Sequence, residues 1–244
     1  MIVIPMAGVS RRFAMAGYDR PKYMLEAHGK TLFRHAVESF QALFAEETFL
    51  FVCRDVADTP AFIRAECAAM GVGRYEVVGL HALTRGQAET VALGLSGAGC
   101  PDAEPILVFN IDTFRPGFAW PGDVDRAAAD GYLEVFDGSG PQWSYVGQSG
   151  PGSNRVAETA EKREISNLCC TGLYWFRSAG LFRAAYAEQL ALGLERAEAG
   201  ELYVAPLYNF LIRRGADIRY HRIPREAVIF CGVPQEYEDF LHAS

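Results

Sequence analysis

The sequence predicts an α/β fold: a Rossmann-like three-layer α/β/α arrangement with a mostly parallel, mixed sheet between helices. Three observations predict it. Up to Asp112, short apolar runs rich in β-branched residues alternate with stretches of helical period, the pattern of parallel strands joined by crossover helices. Past Pro121 the texture changes to shorter strand-like runs separated by polar turns. Half of the 244 residues are hydrophobic, which is enough to fill a core on both faces of such a sheet.

The elements follow in order. "MIVIPM" reads as a buried strand that ends in a loop at Gly8. "TLFRHAVESFQALF" sets Leu32, Phe33, Ala36, Val37, Phe40, Leu43 and Phe44 on one helical face, with Thr31 as its N-cap. "ETFLFVC" is the second strand, and "DTPAFIRAECAAMG" a helix with Pro60 early and Gly71 at its exit. "YEVVGL" is the third strand, "TRGQAETVALGLSG" a helix with Gly86 in its first turn, and "EPILVFNID" a fourth strand, apolar up to Asn110. In the second half "GYLEVFDG", "WSYVGQ", "RVAETAEK" and "CCTGLYWF" read as strands, with "DGSGPQ" and "GQSGPGSNR" as hairpin loops. Helices at "SAGLFRAAYAEQLALGL" and "LYVAPLYNFLIRRG" follow, then "DIRYHRI", "AVIFCG" and a closing helix at "PQEYEDFLH". With no internal repeat and no long linker, the chain is expected to form one domain over residues 1–244.

Composition narrows the function. A net charge of -7 argues against general nucleic-acid or membrane-surface binding, while allowing a local basic pocket for a small anion. No apolar run reaches the ~18 residues of a membrane span, and "MIVIPMAG" lacks the features of a signal peptide, so a cytoplasmic protein is expected. Six cysteines without a CxxC pair read as reduced core thiols. The five histidines show no metal-ligand spacing and read as structural or surface groups.

The basic pocket has an obvious place. Arg11, Arg12, Arg20 and Lys22 put four cations within twelve residues, directly after the first strand. In a parallel sheet ligands bind at the carboxyl ends of strands. Gly8 there permits close backbone approach, and successive N–H groups can cup an anion. Guanidinium groups grip phosphate oxygens bidentately, so phosphate is the natural guest. Two other phosphate motifs fail: "HGKT" has Met24 where a P-loop needs glycine, and "GPGSNR" has Arg155 at the last glycine of a dinucleotide fingerprint.

With these residues in view, the chain resembles the sugar-phosphate nucleotidyltransferase family, of GT-A-like nucleotide-diphospho-sugar transferase fold. "MAGVSRRF" is similar to the family's loop through Ala7, Gly8, Arg12 and Phe13; Ser10 stands for the loop's second glycine and Arg11 for its Thr/Ser. "RPK" supplies the Pro21–Lys22 pair. "RGQAET" resembles the base-contacting segment through Gly86, "VFNID" the strand ending in a metal-binding aspartate at Asp112, and "AEK" the sugar-phosphate segment at Glu161 and Lys162. "CTGLYWF" matches a further family strand through Gly172, and "CGVPQEYEDF" the closing helix. The resemblance departs at Phe230, where many members carry a second metal-binding aspartate, and at Val233, where they carry threonine.

The resemblance implies transfer of a nucleotidyl group from an NTP to a phosphorylated small acceptor, expected to be a sugar 1-phosphate, with release of pyrophosphate. Residues 1–120 would then be the nucleotide-binding half and 121–244 the acceptor-binding half. It implies Arg12, Lys22 and Asp112 as catalytic residues, Asp112 as ligand of Mg²⁺ or Mn²⁺, and Ala7, Gly8, Ser10, Arg11, Gly86 and Gln87 around the nucleotide. Glu161, Lys162 and Gly172 would meet the acceptor. No nucleic acid or membrane partner is implied; a homo-oligomer is compatible with it, as is a place in cell-envelope polysaccharide precursor synthesis. Three alternatives stand beside this one: cytidylyl transfer to a non-sugar phosphate such as phosphocholine, for which Trp143 offers an aromatic wall; a GT-A glycosyltransferase, which would want a DxD motif where "NID" has one aspartate; and an inactive nucleotide-binding module, for which Phe230 speaks.

Overall fold

The computed structural model describes residues 1–243. In chain order, β1 (Ile2–Met6) leads to the short helix α1 (Arg11–Met15), a two-stranded ribbon of β2 (Glu26–Ala27) and β3 (Lys30–Thr31), α2 (Leu32–Glu38), β4 (Thr48–Arg54), α3 (Thr59–Met70), β5 (Arg74–Leu80), α4 (Gln87–Gly97) and β6 (Ile106–Phe109). The second half adds β7 (Thr113–Phe114), β8 (Gly131–Asp137), β9 (Ser144–Gln148), β10 (Val156–Glu161), β11 (Leu168–Phe176), α5 (Ala179–Leu192), α6 (Tyr208–Arg213), β12 (Ile218–Arg222), β13 (Ile229–Phe230) and α7 (Pro234–His242).

Nine strands make one mixed sheet. β5, β4, β1 and β6 run parallel, and β11 joins β6 antiparallel. β1 has β4 on one side and β6 on the other, so the direction in which strands are added reverses between β1 and β6. That reversal opens a crevice at the carboxyl ends of the two strands, because the connections leave toward opposite faces.

Period-two burial explains the three layers. Ile2 and Ile4 of β1, with Phe49 and Phe51 of β4, pack on one face against Phe33 and Val37 of α2 and Ile63 of α3. Val3, Leu50 and Val52 point the other way, toward Val91 and Leu95 of α4 and the apolar residues of α5 and α6. A strand buried on both sides has no polar alternation, which is why these strands read as continuous apolar runs.

Three local expectations need correction. The helix expected to run on to Phe44 stops at Glu38, and a separate 3-10 turn covers Gln41–Leu43. Buried Ser39 explains the break: its hydroxyl donates back to the His35 carbonyl and accepts the Arg115 N–H at 2.8 Å, so side-chain bonds compete with the helix. "DGSGPQ" is not a hairpin loop, since β8 and β9 are not paired; both lie against β11. The helix expected from Leu202 begins later, as a 3-10 turn at Ala205–Leu207 followed by α6. "GQSGPGSNR" does join an antiparallel pair, β9 and β10.

Candidate active site

The crevice between β1 and β6 widens into a cleft of about 750 Å³. One wall is the loop after β1. Arg54 donates through Nε to the Ala7 carbonyl at 2.8 Å and holds the loop's start. Ser10 then adopts a left-handed conformation (φ 48°, ψ 36°), one that costs glycine little and serine more. That turn starts α1 and leaves Arg11 and Arg12 exposed along the cleft.

Lys22 follows the extended Pro21 (φ -53°, ψ 136°) in a single 3-10 turn. Its Nζ donates to Asp112 Oδ2 at 2.5 Å, with both side chains largely shielded from solvent. Residues ninety positions apart thus meet at the switch point. Asp112 stands just past β6, and its carbonyl accepts the Cys231 N–H at 2.8 Å. Next to it β7 pairs with β13, setting Phe230 opposite Thr113.

Phe230 is committed elsewhere. Its ring lies 4.6 Å from Trp143 and 5.4 Å from Phe136, and the Arg225 guanidinium sits 4.9 Å over it. A different carboxylate approaches Asp112. Glu236 Oε2 accepts the N–H groups of Gly232 at 2.8 Å and Val233 at 3.2 Å, closing the first turn of α7. A Cβ on Gly232 would stand 3.1 Å from Asp112 Oδ2 and 3.5 Å from Glu236 Oε2. Burial pushes the nearby Cys231 thiol up to about 12, and the charges of Glu236 and Asp112 push it the same way.

This donor set suits a hard divalent cation. Two carboxylates border one space beside Gly232, and Mg²⁺ or Mn²⁺ takes oxygen ligands. Among the described residues no three His, Cys, Asp or Glu side chains converge, so such an ion would complete its shell with phosphate oxygens and water.

At another end of the cleft lie Gly86 and Gln87. Gly86 is the N-cap of α4 rather than a residue of its first turn. It has a glycine-type backbone (φ 149°), and a Cβ there would stand 2.5 Å from the backbone of Leu202. The contact is a built joint: Leu202 N–H donates to the Arg85 carbonyl at 2.9 Å, and Ala88 N–H to the Leu202 carbonyl at 2.8 Å. Gln87 donates through Nε2 to Asn110 Oδ1, which engages one of its two N–H donors. Asn110 in turn packs over Gly172, where a Cβ would lie 2.6 Å from the Asn110 Cγ.

The third region surrounds Glu161 and Lys162. Neighbours on a strand point to opposite faces, yet both line the cleft, because β10 ends at Glu161 and Lys162 turns left-handed (φ 55°). Glu161 is only 6% exposed, and burial pushes its carboxyl up to about 7, against the bond from Ser144 and the charge of Lys162. Its N–H donates to a carboxylate oxygen of Glu198. Lys162 donates to Tyr203 Oη at 2.5 Å.

One cleft therefore gathers Ala7, Gly8, Ser10, Arg11, Arg12 and Lys22 with Gly86, Gln87 and Asp112, and with Glu161, Lys162 and Gly172. Sequence reasoning missed Tyr203, Glu198 and Glu236. Glu236 did leave a signal: an acid three residues after a helix N-cap is half of a capping box. Tyr203 and Glu198 left none, since their roles depend on loops folded back from distant positions.

The chain has known relatives. The family model of the MobA-like NTP transferase domain matches residues 2–118. The chain is 53% identical to a nucleoside-diphosphate-sugar pyrophosphorylase from Vibrio cholerae RC9, with 100% of each chain covered and a TM-score of 0.95. The inositol-1-phosphate CTP transferase from T. maritima shares 15% identity over 98% of this chain and 94% of its own, with a TM-score of 0.72. A UDP-glucose pyrophosphorylase complexed with UDP-glucose shares 14% over 98% and 96%, with a TM-score of 0.71; these last two likenesses speak to fold alone. No curated protein sequence matches the chain.

Proposed function

The chain belongs to the sugar-phosphate nucleotidyltransferase family and is a nucleotidyltransferase, and from that premise we propose that it joins an NTP to a sugar 1-phosphate with release of pyrophosphate. An oxygen of the acceptor phosphate forms a bond to the α-phosphorus. The bond from the α-phosphorus to the bridging oxygen breaks, and pyrophosphate leaves with that electron pair. A phosphate monoester is already anionic and nucleophilic at neutral pH, so no general base is needed; positioning and charge neutralisation do the work.

The observation that carries this reading is the Lys22–Asp112 pair at the switch point, beneath the arginine loop. Gly8 and the loop N–H groups from Ala7 to Ser10 cradle the triphosphate. Arg12, with Arg11, balances charge growing on the leaving pyrophosphate. Lys22 stands between the α-phosphate and the incoming phosphate and lowers their repulsion. Asp112 would hold Mg²⁺ or Mn²⁺, which when bound supplies further positive charge to the phosphates. Gly86 and Gln87 border the base. Lys162 holds the acceptor's phosphate, Glu161 meets its hydroxyl groups, and Gly172 leaves room beside them. In this reading the nucleotide half ends near residue 120 and the rest serves the acceptor.

Six free, buried thiols support a cytoplasmic setting, and among the described residues no helix is long and apolar enough to cross a membrane. A panel of the four common NTPs against sugar 1-phosphates, scored by pyrophosphate release, tests the proposal. Turnover with at least one pair is expected, and none with any pair would overturn it. One observation favours a second acceptor class: Trp143 lines the cleft with an aromatic face that suits a cationic head group, so phosphocholine with CTP belongs in the same panel.

A further inference from the structure

The aspartate that many family members use as a second metal ligand is Phe230 here, and its ring is packed against Trp143 and Phe136. The lost charge is not regained by moving that side chain, since β13 is paired to β7 and its residues are fixed in register. The next helix delivers a carboxylate instead. We propose that Glu236 is the second metal-facing carboxylate of this protein, acting with Asp112 on the divalent ion that accompanies the NTP; the proposal rests on the nucleotidyl-transfer reading above.

Four features carry it. Asp112 Oδ2 and Glu236 Oε2 each lie within 3.5 Å of the point that a Gly232 Cβ would occupy, so both border the same small space beside Gly232. The Cys231 N–H bond to the Asp112 carbonyl at 2.8 Å ties the two segments together. The direction of the Glu236 carboxylate is set by two backbone N–H groups, which leaves the rest of the group to accept from a water or an ion. Lys22 on Asp112 Oδ2 marks the same spot as one that holds positive charge. Mg²⁺ keeps several waters, so Glu236 acts either directly or through one of them.

The duller role for Glu236 is to cap α7. Val233 has no side-chain oxygen with which to reciprocate, so Glu236 makes only its own half of the box. Glu236→Gln separates the two roles, because an amide oxygen still accepts the N–H bonds while the charge is gone. The full chain is mixed with Mn²⁺ and each of the four common ribonucleoside triphosphates in turn, and the ternary complex is read from water-proton relaxation. Glu236→Gln should weaken Mn²⁺ in that complex about tenfold or more, while metal-free binding of the same nucleotide, with one negative charge fewer beside the phosphates, is not weakened. Asp112→Asn should weaken it likewise. The Mn²⁺-dependent rise in melting temperature, read against each variant's own metal-free value, should shrink in parallel; a loss of helix stability alone would not move it. Equal Mn²⁺ affinity in parent and Glu236→Gln overturns the role of Glu236 and leaves nucleotidyl transfer standing. Nucleotide binding that never responds to Mn²⁺ in the parent overturns the metal reading as well.

Discussion

Single residues carry the charge logic. Lys22 and Arg12 act only if positive charge is already in place when charge moves from the α-phosphorus to the leaving group. Removing such a preorganised group typically costs 10²-fold or more in turnover. Lys22→Ala and Arg12→Ala should each lower kcat by about that factor in a pyrophosphate-release assay, and near-parental rates in both would remove the loop from the chemistry. Glu161 makes a pH prediction. Its carboxyl is pushed by burial from 4.5 up to about 7. Between those values the folded chain keeps a proton that the unfolded chain has lost, so stability falls as pH rises through that window. Glu161→Gln should lose this fall: its stability relative to the parent should improve by at most about 1.4 kcal/mol per pH unit between pH 5 and 7. Denaturant melts at several pH values read it, and parallel profiles would contradict it. That Arg12, Lys22 and Asp112, each inside a contiguous motif, would line one cleft was legible in the sequence. The left-handed turn at Ser10 was not, because its backbone is imposed by the surrounding loop against the residue's own preference.

Elements decide which segments meet. The helix α4 was legible as a helix, and Thr31 as an N-cap; Thr31 Oγ1 accepts the Arg34 N–H at 3.1 Å. The purpose of Gly86 was not legible. The resemblance implies only a place beside the base, whereas the folded chain uses the missing Cβ to seat Leu202 and, next to it, Glu201 and Tyr203. Gly86→Ala should therefore destabilise the fold by about 1–3 kcal/mol through strain at φ 149° and the Leu202 contact. It should also raise KM for both substrates, because one joint serves both ends of the cleft. A KM change confined to the NTP would contradict that coupling. The early end of α2 and the unpaired β8–β9 connection escaped sequence reading for one reason: each depends on a partner far along the chain, Ser39 on Arg115 and β8 on β11.

At the scale of the molecule, strand order sets the site. The parallel strands were readable as apolar runs, but their spatial order was not, and that order places the reversal between β1 and β6. Two stretches of opposite charge, the arginine loop and the Asp112 turn, then lie at one crevice of an otherwise acidic chain. The most direct test of this account uses an acceptor phosphate labelled with ¹⁸O on its non-bridging oxygens, followed by ³¹P NMR of the products. Attack by that phosphate on the α-phosphorus predicts ¹⁸O in the new bridge of the nucleoside-diphosphate product and none in the pyrophosphate. An unlabelled bridge, or label released with free nucleotide, would contradict it.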